Sequence, residues 1–137
     1  MKFSRSIIAA GLLALGLVGP ATAAGNLTTG ATVIKIDMAA NKFSTTAIEM
    51  ETGKAYNLDI TKVAGGEYQF RAPDLFSNSY IFQIAVDGKE IKTRHIDFLE
   101  FDDAGTIRVN LVPNRIGSFK FWVTGQEATM TGTITVK

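Results

Sequence analysis

From Thr106 to Val112 the sequence TIRVNLV sets Ile107, Val109 and Leu111 against Arg108 and Asn110, one apolar residue in every two. The same period returns after a turn at Pro113–Gly117, where Phe119, Phe121 and Val123 alternate with Lys120 and Trp122. A period of two sends successive side chains to opposite faces, so these runs are strands with one buried face. They bound the fold more tightly than anything else in the chain, because a helix cannot bury such a pattern.

Upstream the same signal recurs in short pieces. Thr32–Met38 alternates, Ile48–Met50 is a short strand, and Lys54–Val63 places Tyr56, Leu58, Ile60 and Lys62 on one face with Asn57, Asp59 and Thr61 on the other. Glu67–Ala72 reads as a strand and Pro73–Ser79 as a loop or one helical turn. Tyr80–Val86 is a strand with Phe82, Ile84 and Val86 on one face, and Asp87-Gly88 is a hairpin turn, since both residues tolerate positive φ. Lys89–Phe101 continues as one or two strands. About eight short strands at this spacing predict an all-β Greek-key sandwich or barrel in a single domain.

The first residues are of another kind. Lys2 and Arg5 precede the apolar run Ile7–Val18, Pro20 follows, and Ala21-Thr22-Ala23 has the small-x-small form of a cleavage site. The run is short for a membrane span. Residues 1–24 are expected to be a signal peptide, with the domain at 25–137, exported to a bacterial periplasm and without a transmembrane segment once cleaved. Without Lys2 and Arg5, twelve basic residues face thirteen acidic ones, a net charge of −1. That balance excludes nucleic acid or an anionic membrane as an electrostatic partner. The chain has no cysteine, so in an oxidising compartment it must hold together by packing alone.

Four segments carry a family resemblance. Phe43–Gly53 (FSTTAIEMETG), Glu67–Phe76 (EYQFRAPDLF), the run from Arg108 to Phe121, and the ending Met130-Thr131-Gly132-Thr133-Ile134-Thr135-Val136 together resemble a cupredoxin. The similarity runs over residues 32–137 and is nearest in style to the cupredoxin-like domains of periplasmic iron-uptake proteins. It implies a metal in the loop between Val123 and Met130. A blue-copper site takes two imidazoles, one thiolate and a weak axial methionine. By the resemblance the first histidine falls near Tyr68 or Glu67, the cysteine at Val123 and the second histidine near Gln126, and only Met130 is kept. No type-1 copper is therefore expected, and Val123 reads as a core residue.

Other ligand candidates are scattered. His95, the single histidine, and Asp97 would share a face if HIDF is a strand, and a site there would need Glu100, Asp102 or Asp103 as well. Glu67 and Asp74 flank the first-ligand region, and Glu127 lies in the former metal loop; carboxylates suit a hard ion such as ferric iron better than Cu(I). For each the ordinary alternative stands beside it: Met130 as core, His95 as a surface residue, the acids as solvated loop charges. Trp122 falls on the outward face, where a large aromatic can anchor a partner or simply cover a sheet edge. No catalytic constellation is visible, so an enzyme is not expected. Two readings remain: a module that binds or handles copper or iron through Met130, His95, Asp97, Glu67 and Glu127, or a metal-free sandwich that docks a periplasmic or membrane protein through Trp122.

Overall fold

The computed structural model describes Leu27 and residues 29–137, so the expected signal segment at 1–24 lies outside the described residues. Eleven strands and one short helix follow in order: β1 Thr32–Ala39, β2 Lys42–Phe43, β3 Ala47–Met50, β4 Tyr56–Lys62, β5 Tyr68–Arg71, α1 Pro73–Ser77, β6 Ser79–Val86, β7 Lys89–Ile91, β8 Leu99–Phe101, β9 Gly105–Pro113, β10 Gly117–Val123 and β11 Thr131–Val136. The strands beyond the expected eight are short pieces: β2, β7 and β8 are two or three residues long.

One sheet runs β2-β1-β4-β9-β6-β7 and the other β3-β11-β10-β5-β8. Most neighbours are antiparallel, but β1 lies parallel to β4 and β11 parallel to β3. Parallel pairs need a crossover rather than a tight turn, which is why the chain passes repeatedly from sheet to sheet. The hairpin β6–β7 is closed by Asp87 and Gly88 at φ 48° and 73°, as the sequence predicts.

The core follows the alternation. Tyr56, Leu58 and Ile60 of β4, Val109 and Leu111 of β9, Phe119, Phe121 and Val123 of β10, and Ile134 and Val136 of β11 are all buried between the sheets. Phe43, Phe70 and Phe121 pack at centroid distances of 5.0 to 6.1 Å and form its aromatic centre. On the outer face of the larger sheet, β4 and β9 meet as polar pairs in register: Asn57 with Asn110, Asp59 with Arg108 and Thr61 with Thr106. The Asp59–Arg108 pair is a two-pronged contact at 2.6 and 2.8 Å, and the bond to Asp59 holds the guanidinium above its ordinary pKa.

Two expectations are corrected. Phe82 does not share a face with Ile84: the β6–β9 register shifts between Ile81 and Gln83, so Ile81 and Ile84 fill the core and Phe82 is pushed out of it. One extra residue on one strand reverses the alternation beyond it. His95 and Asp97 are not on a strand either. β7 ends at the edge of one sheet and β8 begins at the edge of the other, so residues 92–98 bridge the sandwich as an irregular link, anchored by buried Ile96.

Candidate metal centre

The loop between β10 and β11 closes on itself. The Val123 N–H donates to the Met130 carbonyl at 3.1 Å, the Gln126 N–H to the Val123 carbonyl at 3.1 Å, and the Met130 N–H to the Gln126 carbonyl at 2.8 Å. The Thr124 N–H reaches across to the Gln69 carbonyl of β5 at 3.0 Å. Val123 and Met130 are both 0% exposed, so hydrocarbon and a thioether fill the space where a ligand set would converge. Burying a side chain of this size contributes about 1.5–3 kcal/mol. Glu127 is exposed, and its Oε1 accepts the Gly125 N–H at 3.1 Å, which caps the loop.

The opposing strand is filled too. Tyr68 of β5 is 0% exposed; its phenol donates to Asn41 Oδ1 at 3.1 Å and accepts the Asn41 N–H at 3.2 Å. Beside it Gly65, at φ 118°, leaves no room for a side chain, since a Cβ there would stand 2.1 Å from the phenol oxygen. The buried donors at the loop are the Met130 thioether and the Gln126 amide, whose Oε1 makes no hydrogen bond. Both are neutral, and neither is thiolate or imidazole. These residues do not fit a blue-copper centre, and with no cysteine in the chain none can form.

A different group of donors gathers at the edge of the smaller sheet. Glu67 just precedes β5, Glu100 is the middle of β8, and Asp102 just follows β8; antiparallel pairing of Tyr68 with Phe101 and Gln69 with Glu100 brings them together. Among the described residues they form the one group of three carboxylates or imidazoles whose ligand atoms lie within 4.8 Å of one another, and all three are exposed. Crowding raises the Glu67 pKa above the usual carboxylate range: its hydrogen bond with Glu100 is the largest cause, followed by the charges of Asp102 and Glu100. Lys62 opposes that shift.

Lys62 was legible only as the last inward position of the β4 run. It is 5% exposed, its ammonium donates to the carbonyls of Phe101 at 3.4 Å and Asp102 at 2.5 Å, and it stands 5.9 Å from the Tyr68 ring. A buried ammonium needs such partners, and here it serves as an internal counter-ion beneath the carboxylates.

The remaining candidates are elsewhere. His95 is exposed in the link, where its backbone bonds the Thr93 hydroxyl. Asp97 accepts Arg71 Nη1 at 3.2 Å, and the Arg71 guanidinium also bonds Thr124 Oγ1 at 2.9 Å and lies 4.8 Å from the Phe98 ring centroid. Glu100 and Asp102, expected beside His95 and Asp97, join Glu67 instead. Trp122 is half-buried on the outer face of the smaller sheet, paired in register with Arg71 and Thr131.

No protein-family model and no curated protein matches the sequence. Solved structures do. Auracyanin A, a "blue" copper protein from Chloroflexus aurantiacus, aligns over 79% of this chain and 100% of its own at 10% identity, with a TM-score of 0.52. The multicopper oxidase mgLAC aligns over 81% of this chain at 12% identity and a TM-score of 0.60, and a metallo-oxidase from Campylobacter jejuni over 77% at 11% and 0.54. This chain spans 46% of the first oxidase and 29% of the second. At these identities the likeness is one of fold: the protein is a cupredoxin-like β-sandwich.

Proposed function

We propose that this chain is an exported cupredoxin-like module that handles a metal ion at its surface, without a type-1 centre and without catalysis of its own. The observation that carries the reading is the convergence of Glu67, Glu100 and Asp102. The family resemblance points to the Glu67 region as ligand-bearing, and strand pairing supplies the two further carboxylates. Three carboxylates offset by one buried ammonium suit a hard or borderline cation, ferric iron or Cu(II), held weakly and exchangeably. Residues 1–24 are the ground for export.

Calorimetry on the purified protein with Cu(II), and with Fe(III) supplied as a soluble chelate, tests this reading. Saturable binding that falls about tenfold or more on Glu67→Gln, and is unchanged by His95→Ala, is the expected result. Flat titrations with both ions overturn it.

A second reading, a metal-free module that docks a periplasmic or membrane protein, draws on the Arg71–Phe98 stack beside Trp122, since arginine and tryptophan are common anchors. Pull-down of a specific partner that is lost on Trp122→Ala supports it, and an unchanged pull-down removes Trp122 from that role.

A further inference from the structure

We propose that the open groove between β6 and the start of the 92–98 link binds a small organic acid with a flat apolar body. The groove encloses about 640 Å³ and is lined by Ser79, Tyr80, Ile81, Phe82 and residues 92–94. That is within the range of small-molecule sites, roughly 300–1,000 Å³.

The bulge in β6 makes the groove apolar. The shift between Ile81 and Gln83 turns Phe82 out of the core beside Tyr80, which is 57% exposed. Two aromatic side chains are thus displayed on one face, where an unbroken strand in phase with Ile84 would have turned both inward. Bulges recur where a strand must re-aim a side chain toward a ligand.

Its charge is set by the link. Lys92 sits 4.3 Å from the Phe82 ring centroid, but its ammonium is already engaged by Gln83 Oε1 and, at 3.2 Å, by Glu90. That engagement also neutralises Glu90. Thr93 holds the link in shape: its hydroxyl donates to the His95 carbonyl at 2.8 Å and accepts the His95 N–H at 3.3 Å. Arg94 is exposed and has no hydrogen bond, ion pair or ring contact among the described residues. Ser79 contributes a buried hydroxyl that makes no hydrogen bond. The unpaired charged group of the groove is therefore a guanidinium, whose fork matches a carboxylate. A cationic ligand would meet Arg94 as a like charge, and a neutral one would leave it unused. The carboxylates at the β5–β8 edge do not line this groove, so the inference stands apart from the metal reading.

The test is titration of the full chain with sodium benzoate, followed by amide chemical shifts, with benzyl alcohol and acetate as controls. Benzoate is expected to saturate, with shifts centred on Tyr80, Phe82, Thr93 and Arg94, and to bind more tightly than either control. Arg94→Gln, an exposed substitution that leaves the fold intact, should weaken benzoate about tenfold and leave benzyl alcohol unchanged. Phe82→Ala should weaken both. Equal binding of benzoate and benzyl alcohol, shifts that do not saturate, or unchanged benzoate affinity in Arg94→Gln would overturn the proposal.

Discussion

Glu67 and Met130 are both ligand candidates from the same resemblance, and their surroundings separate them. Glu67 is exposed, and its pKa is raised by the hydrogen bond with Glu100 and then by the charges of Asp102 and Glu100. A carboxyl with a raised folded-state pKa binds its proton more tightly when folded, so its contribution favours the fold at low pH and is lost as pH rises through that pKa. Glu67→Gln should therefore raise the melting temperature slightly at pH 7 and give no gain at pH 4. An equal shift at both pH values, followed by circular dichroism, would contradict the like-charge account. Met130 is 0% exposed, in a loop closed by its own backbone bonds. As packing, Met130→Leu should cost less than about 1.5 kcal/mol, and Met130→Ala about 2–5 kcal/mol. Denaturant unfolding that finds the two equally damaging would assign the sulfur a role beyond filling space.

At the scale of the strand, β10 and β11 owe their close pairing to Gly132. It lies opposite Phe121, and a Cβ at this position would fall 2.1 Å from the ring's Cζ. The ring is hemmed in by Phe43 and Phe70, so it cannot swing away. Gly132→Ala should cost about 1–3 kcal/mol as overpacking. The cost should shrink in the background of Phe121→Leu, because contacting residues couple. Additive losses in that cycle would mean the glycine matters for its backbone instead. The Met-x-Gly ending thus has a packing reason that needs no metal. Strands β4, β9 and β10 were legible because their alternation is uninterrupted and one face is buried. Two features were not. The bulge at Phe82 depends on where β9 pairs, and the group Glu67–Glu100–Asp102 depends on β5 meeting β8 about thirty residues away in sequence. Neither leaves a local pattern. His95 and Asp97 misled for the same reason: HIDF alternates, but the link it belongs to must cross between sheets.

For the whole molecule, the issue is whether a cupredoxin-like scaffold without the blue-copper ligand set is one substitution or several away from holding it. The sandwich has the β10–β11 loop and a buried methionine, and Val123→Cys with Gln126→His would add a thiolate and an imidazole beside them. The cysteine is close in volume to valine at a site that is already enclosed, and Gln126 lies in the loop itself, so the double variant should fold. It should nevertheless show no intense blue absorption with Cu(II). A type-1 site needs two imidazoles, and the strand facing the loop presents buried Tyr68, its phenol held by Asn41 and its ring backed by Gly65. His95, in the irregular link toward the β8 edge, is exposed to solvent rather than turned into the core. Circular dichroism would establish folding, and an intense blue band from the folded double variant would mean that a histidine reaches the loop after all. Absence of the band places the obstacle in the packing of β5 against β10, so that a type-1 site is excluded by the core as a whole rather than by any one missing ligand.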